Sequence, residues 1–310
     1  MIATVTLNPA LDKIVYLDRL LVGDTNRIIR TETDAGGKGI NASRMLRALG
    51  AETVALGLIG GRTGTFIEHV LQREGVRTDF IEVTKETRTN IQIQTEDGEP
   101  PTALDEKGGP VTLREIGLLI ERVDAVAGSC EFVLFGGSIP LGVPVDVYER
   151  LINCVEAHGA KAILDAEGEL LLDGLQATPF MIKPNRDEAQ RLVQKELPTE
   201  ADVIQAAKTL RSKGISLAII SLGKQGAIAA SKEGVWKAVP PPVEAVSTVG
   251  SGDSMVAGIV FSLSRNGSLE DALRLGSACG AATAMSSGVE MGRKEDVERL
   301  APQINIMRLE

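Results

Sequence analysis

The stretch STVGSGDSM at 247–255 combines groups that could handle an anion and a proton at one place. Gly250 and Gly252 let the backbone turn, and the apolar run VAGIV at 256–260 starts a helix whose first amides have no partner. A helix start with free amides and a partial positive charge is an anion hole. Asp253 in that turn would repel a bound phosphate unless it takes a proton from the hydroxyl that attacks it; otherwise it is an acid stabilising the helix dipole. A second glycine cluster, AGGKGIN at 35–41, opens another helix. There Lys38, between Gly37 and Gly39, could pair with a phosphate and Asn41 could bond a sugar hydroxyl; the alternative is a turn with a solvated lysine. In KPNRDE at 183–188, Asn185 and Glu188 lie three apart on one helix face. They could order water around Mg²⁺ or merely cap the helix. Arg88 in TRTN could clamp phosphate or be a solvated edge charge.

Other chemistries are excluded by what the chain lacks. No GxxxxGK[ST], GxSxG, HExxH or HRD occurs, and the two histidines, His69 and His158, fall on expected helix surfaces. A histidine triad or metal cluster is thus unsupported, leaving Asp, Glu or Lys as any general base. The three cysteines, Cys130, Cys154 and Cys279, are far apart in apolar surroundings and read as reduced core thiols. A formal charge of −9 with no basic block disfavours nucleic acid and anionic membrane as partners. No signal-like N-terminus or membrane-length apolar run is present, so a cytoplasmic protein is expected. An anionic small molecule would need local cations.

These groups need a scaffold, and the apolar pattern supplies one. Short apolar runs at 2–7, 53–59, 132–135, 161–165, 180–183, 217–221 and 226–230 read as strands. Helical patterns at 39–49, 64–74, 112–127, 144–158, 186–195, 200–213, 253–265 and 269–286 alternate with them. Thr112 with Glu115 spells a capping box, and Thr199 and Ser268 are expected N-caps. The alternation predicts an α/β, doubly wound, mostly parallel sheet covered on both faces. Segments 12–35 and 86–105 break the rhythm. NIQIQT (90–95) alternates apolar and polar, as a half-exposed antiparallel strand does, and the two segments are expected to form a small β-sheet lid. The core would then comprise 1–11, 36–85 and 106–310. In such sheets ligands bind at the carboxyl ends of strands. That edge carries Asn8–Asp12, Gly136–Ser138, Asp165, Lys183–Asn185, Ser221–Gly223 and the 247–255 stretch.

TLNPALD, AGGKGIN, GGSIP, KPNRDE, SLGKQG and STVGSGDSM occur in an order that resembles the ribokinase-like, or PfkB, carbohydrate kinases over essentially the whole chain. NPALD, GGKGIN and TRTN are most similar to the phosphosugar branch of that family. The resemblance implies a ribokinase-like fold and ATP-dependent, Mg²⁺-assisted phosphorylation of a ketohexose phosphate. Fructose 1-phosphate is favoured over tagatose 6-phosphate and fructose 6-phosphate; an unphosphorylated sugar or nucleoside, or a non-catalytic sensor, are remoter alternatives. It implies Asp253 as base, with the amides of Gly250, Ser251 and Gly252 as the anion hole. Asp12, Asn41, Asn90 and Ser138 would meet the sugar, and Arg27, Gly37, Lys38, Gly39 and Arg88 its existing phosphate. Lys183, Asn185, Ser221, Gly223 and Gly226 would meet the nucleotide, Val246, Ala278 and Cys279 the adenine, and Glu188 with Asn185 the metal. Ser251 departs from the usual alanine, and PPTALDEKGGP replaces the acidic run common near 100–110. A homodimer through the lid is expected.

Overall fold

Alternate residues of the apolar strands face opposite cores. Ala3, Val5, Val133 and Phe135 pack in one, while Ile2, Phe132 and Leu134 pack in the other. This is the period-two signature of a sheet covered on both faces. In the computed structural model, which describes residues 1–288 and 290–310, the strands in chain order are β1 (Ile2–Thr6), β2 (Ala10–Leu17), β3 (Arg30–Gly36), β4 (Thr53–Ile59), β5 (Arg77–Glu82), β6 (Arg88–Thr95) and β7 (Thr102–Asp105), followed by β8 (Phe132–Gly136), β9 (Lys161–Asp165), β10 (Met181–Ile182), β11 (Leu217–Ser221), β12 (Ala227–Ser231), β13 (Gly234–Val239) and β14 (Asn305–Arg308). Ten of them form one sheet in the order β14-β13-β12-β11-β10-β9-β8-β1-β4-β5. Neighbours from β11 across to β5 run parallel; β12, β13 and β14 add antiparallel edges.

The helices are α1 (Lys38–Ala48), α2 (Gly61–Arg73), α3 (Leu113–Ala127), α4 (Val147–Ala157), α5 (Gly168–Gly174), α6 (Arg186–Val193), α7 (Glu200–Ser212), α8 (Ser251–Ser264), α9 (Leu269–Met285) and α10 (Lys294–Leu300). Thr112 with Glu115, Thr199 with Asp202 and Ser268 with Asp271 form reciprocal capping boxes, so three helix starts are fixed by local sequence. Helices α3, α4 and α7 cover one face; α1, α8 and α9 cover the other. Three strands lacked a clear apolar run. In β5 (RTDFIE) only Ile81 is buried, and β13 and β14 lie at the far edge.

The remaining strands make a separate sheet, β3-β2-β6-β7. The reading of NIQIQT is corrected in part: β6 is antiparallel to β7 but parallel to β2. Its burial does not alternate either, because all eight residues are partly exposed. The larger buried apolar side chains of this sheet lie instead on β2, at Ile14, Val15 and Leu17. Cys154 also departs from expectation. It is half-buried, and its thiol donates to Asp124 Oδ1 (3.4 Å), while Cys130 and Cys279 are buried. No helix among the described residues is long and apolar enough to cross a membrane.

Candidate active site

β1 has β4 on one side and β8 on the other, so the chain winds outward from it in both directions and leaves a crevice at its carboxyl end. β9 ends there in Asp165, which is buried and flanked by two lysines. Lys38 Nζ, from the first residue of α1, donates to its Oδ1 at 2.9 Å; Lys183 Nζ, just past β10, lies 3.3 Å from its Oδ2. Burial pushes the Asp165 carboxyl up, but Lys183 and Lys38 outweigh it and hold it below the ordinary aspartate value. Burial likewise pulls Lys38 down, while Asp165, Asp253 and Glu188 outweigh that and hold it above the ordinary lysine value. Lys38 therefore stays charged.

The start of α8 meets this cluster. Gly250 is its N-cap, with φ +72°, a region that disfavours side chains; a Cβ there would also come 2.8 Å from Met291 Cε. Gly252 brings the backbone so close to Lys183 that a Cβ would lie 3.1 Å from Nζ. Asp253 is buried, and Asn41 Nδ2 donates to its Oδ2 at 2.8 Å. Asn41 thus holds Asp253 in this structure rather than facing a sugar alone. Burial, then the charge of Asp165, raises Asp253 from 3.8 to about 6 against the pull of Lys38. Asp253, Lys38 and Asp165 line one cavity together with Gly39.

The small sheet carries a second polar cluster. Its register aligns Asp34, Asp12, Asn90 and Asp105 as one row across four strands. Partners in register share a face. Asn90 Nδ2 donates to Asp12 Oδ1 at 3.0 Å, and Asn90 Oδ1 is buried without a partner. Burial raises Asp12 to about 6, with Asp105 and Asp34 adding to it. Gly36 is required beside it, since a Cβ would fall 1.9 Å from Asp12 Oδ2. Arg88 reaches back to the core: Nη2 and Nε donate to the Asn8 carbonyl (3.1 and 3.3 Å) and Nη1 to that of Glu106 (2.7 Å). Asn8 in turn donates to Ser138 Oγ at 3.0 Å. Arg88 lines a different cavity from Lys38, and Arg27 stands exposed in the loop between β2 and β3. The expected phosphate grip of Lys38, Arg88 and Arg27 is therefore not assembled; Lys38 faces Asp165 and Asp253.

Of the residues expected to meet the nucleotide, Ser221 bridges to Asn185, and Gly223 faces open space. Gly226 has a structural reason: a Cβ would meet the Ala238 carbonyl at 1.8 Å. Ala278 and Cys279 correct the expected adenine wall. Both are wholly buried, because the turn of α9 aims them at the core, and Cys279 Sγ sits 2.8 Å from where a Gly258 Cβ would be. Val246 is 62% exposed and stays available. Asn185 and Glu188 form a reciprocal capping box, with Glu188 Oε2 accepting from the Asn185 amide at 2.7 Å. Capping leaves Glu188 buried, with a charge felt at Lys38. Among the described residues no group of three His, Cys, Asp or Glu converges on a metal position. Asp165 was visible in the sequence only as a strand-end group, with no motif to mark it, and Asn8 lay in TLNPALD without an assigned role.

Comparison with known proteins decides what this crevice belongs to. Residues 5–295 match the pfkB family carbohydrate kinases. The chain belongs to the pfkB family. Within it, the 1-phosphofructokinase of Bacillus subtilis is 35% identical over 100% of both chains. The D-tagatose-1-phosphate kinase of Bacillus licheniformis is 36% identical, also over 100% of each. The crystal structure of phosphofructokinase-2 from Escherichia coli in complex with substrates and products superposes with a TM-score of 0.92 at 31% identity, covering 97% of this chain and 98% of that one. The pfkB assignment accords with the α/β core and the separate small sheet found here.

Proposed function

We propose that the chain transfers the γ-phosphoryl group of ATP to a ketohexose phosphate, with fructose 1-phosphate the first choice and fructose 1,6-bisphosphate the product. The observation that carries this is Asp253, raised to about 6 and bonded to Asn41, beside two lysines tied to one carboxylate at the start of α8. Phosphoryl transfer asks mainly for positioning and charge neutralisation, and these groups supply both. Asp253 accepts the proton of the C6 hydroxyl. The sugar oxygen bonds to the γ-phosphorus as the bond to the β–γ bridging oxygen breaks, and ADP leaves. Amides of Gly250, Ser251 and Gly252 face the moving phosphoryl group; Lys183 neutralises it from the nucleotide side and Lys38 from the sugar side. Segments 12–35 and 86–105 act as the lid, with Asp12 and Asn90 accepting sugar hydroxyls.

The residues fit Mg²⁺. Glu188 is a buried carboxylate with one oxygen outside its capping bond, which suits an ion that keeps much of its water and takes oxygens from substrate phosphates. Bound there beside Asn185, it would neutralise charge on the nucleotide phosphates.

A coupled ADP-release screen tests the substrate. Fructose 1-phosphate should give the highest kcat/KM among fructose 1-phosphate, D-tagatose 1-phosphate, tagatose 6-phosphate, fructose 6-phosphate and free fructose. D-tagatose 1-phosphate is the second reading, favoured by the 36% identical relative. Preference for free fructose would refute the phosphosugar assignment.

The two raised lid and base carboxylates predict a steep acid limb. Below pH about 6 both Asp253 and Asp12 bind protons, so the base and the hydroxyl acceptor are lost together. Log kcat/KM for the sugar should fall with a slope approaching about two, and Asp12→Asn should lower that slope by about one. An unchanged slope would remove Asp12 from the titrating set.

The lid also leaves Leu20, Val22, Ile28, Ile29 and Leu104 exposed, Val22 by 94%. Apolar side chains concentrated on a sheet with open edges suit pairing with a second copy. Sedimentation should show a dimer that Val22→Asp dissociates; a wild-type monomer at micromolar concentration would contradict it.

A further inference from the structure

The anion hole is braced by a segment that also touches the lid. Beyond α9, Gly288 (φ +63°) abuts the lid sheet so closely that a Cβ would come 2.4 Å from Glu32 Oε2 on β3 and 3.3 Å from Ile14 Cδ1 on β2. Three residues later Met291 reaches the start of α8 by two contacts. Its Cε fills the space where a Gly250 Cβ would lie (2.8 Å), and its Sδ accepts from Ser254 Oγ at 3.7 Å. A buried chain fixes these atoms. Thr283 Oγ1 donates to Ser254 Oγ at 2.8 Å and accepts from the Gly292 amide at 3.0 Å. Ser254 and Thr283 are almost wholly buried, so the residue after Asp253 is tied to the end of α9 and to Met291.

We infer that Met291 is a positioning residue for phosphoryl transfer. It holds the Gly250–Ser254 turn in its transfer geometry and, through Gly288, couples that turn to the lid strands that carry Asp12. The left-handed Gly250 is not secured by any side-chain cap of its own helix, so an outside brace is needed to hold its amide direction. A small displacement of a positioned group costs on the order of a hundredfold in rate, whereas substrate binding draws on contacts elsewhere. This inference rests on the kinase reading above.

The test is steady-state kinetics of Met291→Ala, Met291→Val and Met291→Leu with the preferred phosphosugar and ATP. Loss of the reaching methyl in the Ala and Val variants should lower kcat by roughly ten- to a hundredfold and leave both KM values within about twofold. Leu keeps the volume and should restore kcat to within about threefold of wild type. Gly288→Ala, which pushes the segment off Glu32, should also lower kcat, and combined with Met291→Ala it should add little, as coupled sites do. A kcat for the Ala or Val variant within twofold of wild type, a loss confined to KM, or additive effects of the Met291 and Gly288 changes would overturn the inference. A wild-type protein with no sugar-dependent ADP release would instead overturn the kinase reading.

Discussion

Asp253→Asn should lower kcat by about 10²–10⁴-fold while making the protein more stable at pH 7. The two effects share one cause. Burial and Asp165 raise the folded-state carboxyl from 3.8 to about 6, so between those values the folded state binds more protons than the unfolded state. Stability therefore falls as pH rises through that window, and above about pH 6 the deficit is complete, at roughly 2–3 kcal/mol. Asn keeps an oxygen for Asn41 Nδ2 and carries no charge, so it removes the deficit and the base together. Thermal melting of both proteins at pH 7 and near pH 4 checks this: the variant should melt higher at pH 7, and the gap should close at the lower pH. Equal melting temperatures at pH 7 would show that the Asp253 carboxylate is not under electrostatic load.

The second large effect should follow Asp165→Asn. This change leaves Lys38 and Lys183 without the carboxylate they share. Breaking a buried pair on one side costs roughly 3–5 kcal/mol, here toward the lower end because the Lys38 side chain remains 30% exposed. Losing the placement of two cations at the phosphoryl group should lower kcat by about a hundredfold or more. A pH profile separates this from a general loosening. Asp165 is one of the groups that raise Asp253, so its removal shifts the acid limb of the residual kcat to lower pH. A limb that stays near pH 6 would mean that Asp165 does not act on the base.

The sequence announced the scaffold more clearly than the site. Runs such as KAILD and LAIIS have the unbroken aliphatic character of strands covered on both faces, and they became β9 and β11. Thr112, Thr199 and Ser268 carried their capping partners three residues on, so those helix starts were local facts. Strands β5 and β14 were hidden because edge strands bury little: RTDFIE and NIMR lack an apolar face to read. At the site, the glycine clusters marked Lys38, Asn41 and Asp253, which the structure brings into one crevice. Asp165 was legible only as the end of a strand, because its two lysine partners lie 127 and 18 positions away and only the sheet order joins them. Ala278 and Cys279 were misplaced because residue position along α9 does not say which face meets α8. Lys38 and Arg88 were joined by the family resemblance, but Lys38 is held by Asp165 and Arg88 by the carbonyls of Asn8 and Glu106. Met291 carries no chemical signature, and its contact with Gly250 depends on a turn that spacing does not encode.

The central claim is that this crevice moves a phosphoryl group to a ketohexose phosphate with Asp253 as base. The most direct measurement follows the ³¹P NMR spectrum of fructose 1-phosphate with Mg²⁺ and ATP, using wild type and Asp253→Asn at equal concentration. The account predicts a second phosphate ester on the same sugar, formed one-to-one with ADP by wild type and about 10²–10⁴-fold more slowly by the variant. ADP released without a sugar bisphosphate, or a variant that makes the bisphosphate at the wild-type rate, would contradict it.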